Sequence, residues 1–207
     1  MDKLDLTKLD KTYYSAKPKP ELVHIEKAQF ISIEGKGDPS GQPFADKIEA
    51  LYATAYTIKF MHKALGQDFV VSKLEGLWWF DEEKFAGKTI ETSAVEVPRS
   101  EWEYRLLIRM PNFVSPKDLN QAIETVVAKK SIQLSREVEF FNMTEGKSVQ
   151  MLHVGPYSTE LDTLRQIGAF IEVNQLTRNG LHHEIYLSDH RKTEPHKLKT
   201  ILREPVK

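Results

Sequence analysis

A twofold repeat of strand, helix, strand and strand is the feature of this 207-residue sequence that most constrains its fold. In the first half, alternating apolar residues predict a strand over residues 28–34. An apolar stripe from Phe44 to Ile58, spaced by three and four residues, then predicts a helix that begins at Pro43 and ends near Gly66. The segments KLEGLWWF and EWEYRLLIRM, rich in aromatic and aliphatic residues, predict two further strands.

The second half of the chain repeats this order. KSVQMLHVGPY is typical of a strand, YSTELDTLRQIGAFIEVNQL of an amphipathic helix that ends near Gly180, and HHEIYLSD and LKTILREPV of two more strands. Between the halves, Ser115 and Pro116 mark the start of a helix over residues 115–130. We therefore predict an α+β fold of two tandem duplicated modules, which either join their sheets or face each other with a cleft between them. A cleft between pseudo-symmetric halves is a common place for a ligand site.

The predicted domain organisation has two parts. Residues 1–20 mix Lys with Asp and end in KPKP, a composition typical of a mobile arm that lies across the body of a protein. Residues 21–207 are predicted to form one domain, in which modules at about 21–112 and 136–207 are joined by the central helix. With 40% hydrophobic residues, this length is sufficient to bury a core.

Charge and cysteine content exclude several classes of function. The 29 basic and 30 acidic residues give a formal net charge of -1, so nothing directs the protein toward nucleic acid or an anionic membrane. The absence of cysteine excludes disulfides, thiol nucleophiles and thiolate metal sites. The charged N-terminus is unlike a signal peptide, and no apolar run reaches membrane-spanning length. These features favour a cytoplasmic protein without nucleic-acid or membrane partners; its oligomeric state is left open.

The stretch LHHEIYLSD contains the first candidate site residues. Side chains alternate between the two faces of a strand, so Glu184 and Tyr186 point the same way and can contact one ligand. Tyr157, where HVGPY meets the following helix, is a third candidate for this position. The alternatives are a solvated carboxylate on a sheet surface and an apolar role for Tyr157 at the helix entry.

Aromatic residues are concentrated in the two strands of the first module. All three tryptophans, with Phe80 and Tyr104, fall within residues 78–104, and alternation places Trp102 and Tyr104 on one face of their strand. They fill a core or line a slot for a flat ligand. Glu75 in KLEGLWWF takes the place in its module that Glu184 takes in the second, which makes it a competing acid.

No motif in the sequence indicates a metal or cofactor. The seven histidines show no ligand spacing, and EGKGDPSG lacks the ending of a phosphate-binding loop. No serine lies in a nucleophile elbow. We therefore expect neither a metal site nor another cofactor.

The two modules, KLEGLWW, WEYRLLIRMP, HVGPY and above all LHHEIYLSD followed by RKTEPHKLKTILREPV resemble stand-alone GyrI-like small-molecule-binding proteins from about residue 22 onward. The resemblance implies two modules that are related by pseudo-twofold symmetry, with a ligand cleft between them that takes a flat aromatic or cationic xenobiotic. Related domains are drug-sensing effector domains of transcription regulators, but about 20 residues before the first strand are too few for a DNA-binding domain.

The resemblance extends to members that hydrolyse cyclopropane-bearing DNA-alkylating compounds in an aromatic cage. It implies that Trp79, Trp102 and Tyr104 form the cage and that Glu184 is the key acid. For this chemistry we assign Glu184 to orient or deprotonate water, Tyr186 or Tyr157 to donate a hydrogen bond, and Glu75 as the competing base. The alternatives are a non-catalytic ligand sink or sensor that acts through a partner protein, and a plain interaction domain.

Overall fold

The predicted α+β architecture is confirmed by a computed structural model that describes residues 3–89, 92–93 and 96–207. The strands are β1 Glu21–Ile25, β2 Ala28–Lys36, β3 Leu74–Trp79, β4 Glu103–Arg109, β5 Glu139–Met143, β6 Gly146–Val154, β7 His182–Tyr186 and β8 Lys199–Pro205. The helices discussed below are α1 Leu6–Leu9, α2 Lys11–Tyr14, α3 Gln42–Ala64, α4 Pro116–Lys130 and α5 Glu160–Val173. No helix among these described residues is long and apolar enough to cross a membrane.

One curled sheet contains all eight of these strands, in the order β1-β6-β8-β7-β3-β4-β2-β5 with antiparallel neighbours. The chain crosses from edge strand β1 to β2, beside the other edge, through residues 26–27, and from β5 to β6 through residues 144–145. Because so few residues span at most about 11 Å, the two edges must approach one another. The sheet therefore curls into a half-barrel, with β3 and β7 at its centre.

The curl gives the sheet an inner and an outer face with separate cores. On the inner face, residues from both edges and from the centre pack around Tyr13 and Tyr14 of α2. On the outer face, α3 and α4 cover β2, β3 and β4, while α5 covers β6 and β8. The outer side of the central pair β3 and β7 lies between these two helical layers.

Local sequence signals account for the helices. In α4, Ser115 accepts a hydrogen bond from the backbone N–H of Asp118, and the Asp118 carboxylate accepts one from the backbone N–H of Ser115, so the predicted start is confirmed as a capping box. The predicted helix from Pro43 is confirmed as α3. The prediction that the last helix extends to Gly180 is wrong, because α5 ends at Val173 and the next residues form turns.

Two strands were not predicted. Both β1 and β5 are five-residue edge strands, and each pairs with a strand of the other module. The predicted arm contains α1 and α2, which pack into the inner face. The division at residue 20 and the module boundaries at 21–112 and 136–207 stay predictions.

Candidate functional site

The register between β3 and β7 decides which predicted site residues lie together. Gly76 pairs with Glu184, and Glu75 pairs with Ile185. Because directly paired residues point to the same face, Glu184 lies on the outer face and Glu75 on the inner face. The predicted correspondence of Glu75 with Glu184 is therefore wrong: an offset of one residue moves a side chain to the opposite side of the sheet.

The outer side of the central strands holds a connected polar cluster around Glu184. The Tyr186 hydroxyl donates to Glu184 Oε2 at 2.6 Å, and His182 Nε2 lies 3.3 Å from Glu184 Oε1. The other ring nitrogen, His182 Nδ1, lies 2.6 Å from Glu204 Oε1. Trp78 Nε1 donates to the Tyr186 hydroxyl at 3.1 Å. We call this set, with Glu160 and Tyr157 of the second module, the outer cleft.

The electrostatics of the outer cleft favour a charged imidazole. Burial by itself would lower the pKa of His182, but the carboxylates of Glu204 and Glu184 outweigh it and raise that pKa to about 10. Both ring nitrogens then donate to carboxylates. Burial, followed by the nearby Glu184 charge, raises the pKa of the Tyr186 hydroxyl well above its ordinary value, so this phenol keeps its proton.

Aromatic side chains continue from the outer cleft into the first module. Trp78 lies 5.4 Å from Tyr104 and 6.3 Å from Trp102 between ring centroids, and Phe44 of α3 stacks on Trp78 at 5.9 Å. Trp79, predicted to be in the cage, points to the inner face, where its Nε1 donates to Glu103. Alternation separates adjacent tryptophans, so Trp78, and not Trp79, shares the outer face with Trp102 and Tyr104.

Gly76 allows the close approach of the groups above it. A Cβ at this position would come within 2.8 Å of Trp78 Nε1 and 3.1 Å of the Tyr186 hydroxyl. Every residue with a side chain would therefore push these two rings away from Glu184. The glycine is visible in KLEGLWW, but periodicity alone does not identify the close approach that it allows.

The outer cleft reaches solvent. The Glu184 side chain is 15% exposed, and Tyr157, whose ring meets that of Tyr186 edge-on at 5.9 Å, is 42% exposed. Burial and the charges of Glu160 and Glu184 raise the pKa of Tyr157 to about 12, so its hydroxyl is protonated at neutral pH. Of the residues predicted for the site, Glu184, Tyr186 and Tyr157 are together.

Glu160 also belongs to the outer cleft and was missed by sequence reasoning. It is the first residue of α5 and is buried. Burial, and then the Glu184 charge, raise the pKa of Glu160 well above its ordinary value. An acidic residue in the first turn of a helix is normally exposed and stabilises the helix dipole. Its position in STEL therefore gave no signal of burial.

The inner face holds a second polar network, which includes Glu75. The Glu75 carboxylate accepts hydrogen bonds from the hydroxyls of Tyr13 at 2.5 Å and Tyr14 at 3.2 Å. His183 lies between Glu75, at 3.0 Å, and Glu145, at 2.9 Å. Arg203 completes the set, because it donates hydrogen bonds to Glu145, Gln150 and the Tyr13 carbonyl oxygen. We call these residues together the inner network.

The inner network has compensated charges and satisfied hydrogen bonds. Glu75, His183 and Arg203 are each 0% exposed. Burial by itself would raise the pKa of Glu145, but His183 and Arg203 outweigh it and lower that pKa to about 2. The geometry therefore places Glu75 in a buried structural network rather than at a cleft open to ligand.

Two cavities lie away from the outer cleft. One of about 550 Å³ is lined by α5 and the segment after it, from Arg165 to Arg178. Another of about 240 Å³ lies beside Glu145 and is lined mostly by apolar side chains, including Phe141, Met143 and Leu181. Among residues 3–89, 92–93 and 96–207, no group of three His, Asp or Glu side chains is placed to hold a metal ion.

Comparison with known proteins identifies the family. A sequence profile of the GyrI-like small molecule binding domain matches residues 18–207. The chain belongs to the GyrI-like family. Among curated proteins, no sequence matches this GyrI-like chain significantly.

Solved structures support the same assignment. An uncharacterized conserved protein from Listeria innocua is 37% identical over 99% of this GyrI-like chain and 100% of its own, with a TM-score of 0.88. A structure described as a hydrolase from Listeria innocua is 37% identical over the same shares, with a TM-score of 0.83. The EcmrR C-terminal domain is 12% identical over 91% of this chain and 97% of its own, with a TM-score of 0.56, so it shows the fold alone.

Proposed function

We propose that this GyrI-like protein binds flat xenobiotic molecules in the outer cleft and hydrolyses electrophilic members of that class, such as cyclopropane-bearing DNA-alkylating compounds. The observation that carries the proposal is the Glu184 carboxylate, held between His182 and Tyr186 at the junction of the two modules and next to Trp78. Aromatic side chains hold a planar body, and a carboxylate activates water beside it.

The hydrolysis needs little from the protein because the ring is strained. Water attacks a cyclopropane carbon, the carbon–carbon bond to the spiro centre breaks, and its electron pair converts the conjugated dienone into a phenolate. Glu184 takes the proton from water, and a donor protonates the phenolate oxygen. The products of the balanced reaction are a phenol and an alcohol on the opened arm.

The existing hydrogen bonds divide the roles among the site residues. Glu184 has about four lone-pair positions, of which His182 and Tyr186 occupy two, so a water molecule can still donate to it. The Tyr186 proton is already directed at Glu184 and its oxygen accepts from Trp78, which makes Tyr186 a positioning residue. Of the two tyrosines, Tyr157, with its partly exposed ring, is the better candidate for a hydrogen-bond donor to the ligand.

A ligand sink or sensor that acts through a partner protein is the second candidate. It is favoured by the fact that both oxygens of Glu184 already accept hydrogen bonds, an arrangement that suits a fixed binding site. Hydrolysis is favoured by the likeness to the Listeria innocua hydrolase over nearly the whole of both chains. Turnover separates the two candidates.

A single-turnover assay tests the proposal. Excess protein is incubated with a spirocyclopropyl cyclohexadienone, and mass spectrometry follows addition of one water molecule. We expect water addition faster than in buffer and slowed about a hundredfold or more in Glu184→Gln, the range typical of a lost general base. Glu49→Gln, an exposed acid on α3, is the matched control and should react like the wild type. Intact compound retained on the wild-type protein would favour the ligand sink.

A further inference from the structure

Glu160 stands apart from the other charged groups of the outer cleft because one of its oxygens has no partner. The residue is 8% exposed, and Oε1 is buried without a hydrogen-bond partner among the residues the structure describes. Buried polar atoms are nearly always satisfied, so an exception in a cleft indicates a position for a ligand atom. The groups that act on Glu160 are Tyr157 from the preceding turn, His182, Glu184 and Tyr186 from β7, and Thr200 from β8.

The remaining charges in the cleft already compensate each other. His182 lies between the carboxylates of Glu184 and Glu204, and Arg178 lies 3.3 Å from Glu204. These four groups sum to zero when His182 is protonated. An ionised Glu160 would add an uncompensated negative charge beside Glu184, and two buried carboxylates at one site are not both ionised at low cost.

The effects that raise the pKa of Glu160 are larger than those that lower it. Burial and the Glu184 charge raise its pKa, while His182 and Thr200 lower it without cancelling the rise. The helix dipole at the start of α5 contributes only about 0.3–1 kcal/mol, less than one pKa unit. Burial is the largest effect on the Glu160 pKa, and the net direction of the shift is upward.

We propose that the Glu160 carboxyl acts in the outer cleft as a hydrogen-bond donor, so that the cleft selects flat neutral molecules with an acceptor oxygen over flat organic cations. This inference rests on the proposed function and narrows its substrate class. A conjugated carbonyl is such an acceptor, and its bond to Glu160 strengthens as negative charge develops on the oxygen during ring opening. The carboxyl then transfers its proton to the phenolate and regains one from Glu184, which took a proton from water.

Cations should bind differently. An organic cation in the same place would face the imidazolium of His182 and a carboxyl that is neutral. It would bind well only by displacing the Glu160 proton, so its affinity would fall as the pH is lowered. The charge preference is therefore measurable without turnover.

Two ring systems of the same shape test the preference. N-methylacridone is flat and neutral with a carbonyl acceptor, whereas N-methylacridinium is a flat cation without one. We expect the wild-type protein to bind N-methylacridone at least about tenfold more tightly at neutral pH, the scale of one net hydrogen bond. Failure of N-methylacridone to bind, or tighter binding of the cation, would overturn the inference.

Two substitutions at Glu160 supply the decisive comparison. Glu160→Gln keeps an N–H donor and removes the ionisable group, so its affinity for N-methylacridone should stay within about threefold of the wild type. Glu160→Leu replaces the carboxyl donor with an apolar group, so affinity for N-methylacridone should fall about tenfold, the scale of one net hydrogen bond. Equal losses in both variants would refute the donor role. Circular dichroism and thermal unfolding establish that each variant is folded.

The binding and turnover experiments test the Glu160 inference and the hydrolase proposal separately. If N-methylacridone gives the expected pattern but the dienone is not hydrolysed, the inference about ligand charge stands and the hydrolase proposal fails. If the dienone is hydrolysed and Glu160→Gln and Glu160→Leu behave alike in binding, the hydrolase proposal stands and the role of Glu160 fails.

Discussion

His182 and His183 are neighbours in sequence, yet they lie on opposite faces of β7 and belong to networks of opposite character. His183, in the inner network, lies between Glu75 and Glu145 and is fully buried. His182, in the outer cleft, lies between Glu184 and Glu204 and acts on Glu160, one oxygen of which is buried without a hydrogen-bond partner in the part of the chain that the structure describes. Residue type does not separate a structural network from a candidate site; exposure and unsatisfied groups do.

The inner network and the outer cleft are also built from different parts of the chain. The inner network ties the N-terminal segment to the sheet, because Tyr13 and Tyr14 donate to Glu75 and Arg203 donates to the Tyr13 carbonyl oxygen. The outer cleft is built from the start of α5 and the central strands, without these residues. We therefore expect changes in the inner network to alter stability and changes in the outer cleft to alter ligand binding.

The largest expected effect is on stability, at Arg203. Arg203→Met leaves Glu145 buried without its guanidinium partner, which should lower the free energy of unfolding by about 3–5 kcal/mol. Arg165→Met, which removes an exposed ion pair with Asp162, is the control and should cost less than about 1 kcal/mol. Urea denaturation measures both. Equal losses would show that the inner network is not a structural element.

Gly76→Ala should weaken ligand binding more than it affects the fold. The new methyl group would push Trp78 and Tyr186 from their positions. In enzymes, a misplacement of about 1 Å can lower the rate about a hundredfold, and we expect binding to be sensitive to the same displacement. We expect a ten- to hundredfold loss of affinity for N-methylacridone by fluorescence titration.

A control for Gly76→Ala exists elsewhere in the chain. At Gly180 a Cβ would meet the Pro205 side chain at 2.8 Å, a similar degree of crowding outside the outer cleft. Gly180→Ala should cost some stability and leave affinity within about twofold, an effect of less than about 0.5 kcal/mol. If both variants bind the probe equally well, Gly76 is not needed by the site.

Removing a tyrosine hydroxyl from each face should give a smaller difference in stability. Tyr13→Phe removes a buried donor to Glu75 and should cost about 1–3 kcal/mol of unfolding free energy. Tyr157→Phe removes a hydroxyl on a partly exposed ring and should change stability by less than about 0.5 kcal/mol. Chemical denaturation checks both values, and the reverse order of effects would contradict the division between the faces.

His182 on the outer face and Glu145 on the inner face should make stability depend on pH in opposite ways. The pKa of His182 is raised from 6.5 to about 10, so the folded state keeps a proton that the unfolded state releases. Its contribution is complete below pH 6.5 and is lost as the pH rises toward 10, at most about 1.4 kcal/mol per pH unit. His182→Asn should flatten this decline in urea denaturation between pH 7 and 9.5.

For Glu145, on the inner face, the sign is opposite. The pKa of Glu145 is lowered from 4.5 to about 2, so its contribution is complete above pH 4.5 and is lost as the pH falls toward 2. Glu145→Gln should remove part of the acid dependence, even if the variant is less stable overall. An unchanged slope in either variant would reject the corresponding protonation state.

The sequence predicted the repeated elements because their apolar periodicity is local. Helix α4 is marked by its own capping residues, and the stripe from Phe44 to Ile58 marks α3. Strands β1 and β5 escaped prediction because they are short and their partners lie in the other module. The duplicated architecture was therefore predictable, and the pairing across modules was not.

The candidate site was predictable only in part for the same reason. Alternation in HHEIYLSD places Glu184 and Tyr186 together, but the register between β3 and β7 is needed to separate Glu75 from them and to replace Trp79 with Trp78. The contact of Tyr13 with Glu75 joins residues 62 positions apart, and burial of Glu160 depends on how α5 packs on the sheet. Such long-range contacts leave no periodic signal.

The adjacent tryptophans allow the most direct test of the outer cleft as the ligand site. The indole N–H of Trp78 donates to Tyr186 on the outer face, and that of Trp79 donates to Glu103 on the inner face. An isotope-edited NMR spectrum of the indole groups, assigned with Trp→Phe variants, is recorded during titration with N-methylacridone. We expect the Trp78 signal to shift saturably while the Trp79 signal stays in place. A saturable shift of Trp79 with Trp78 unchanged would contradict the account.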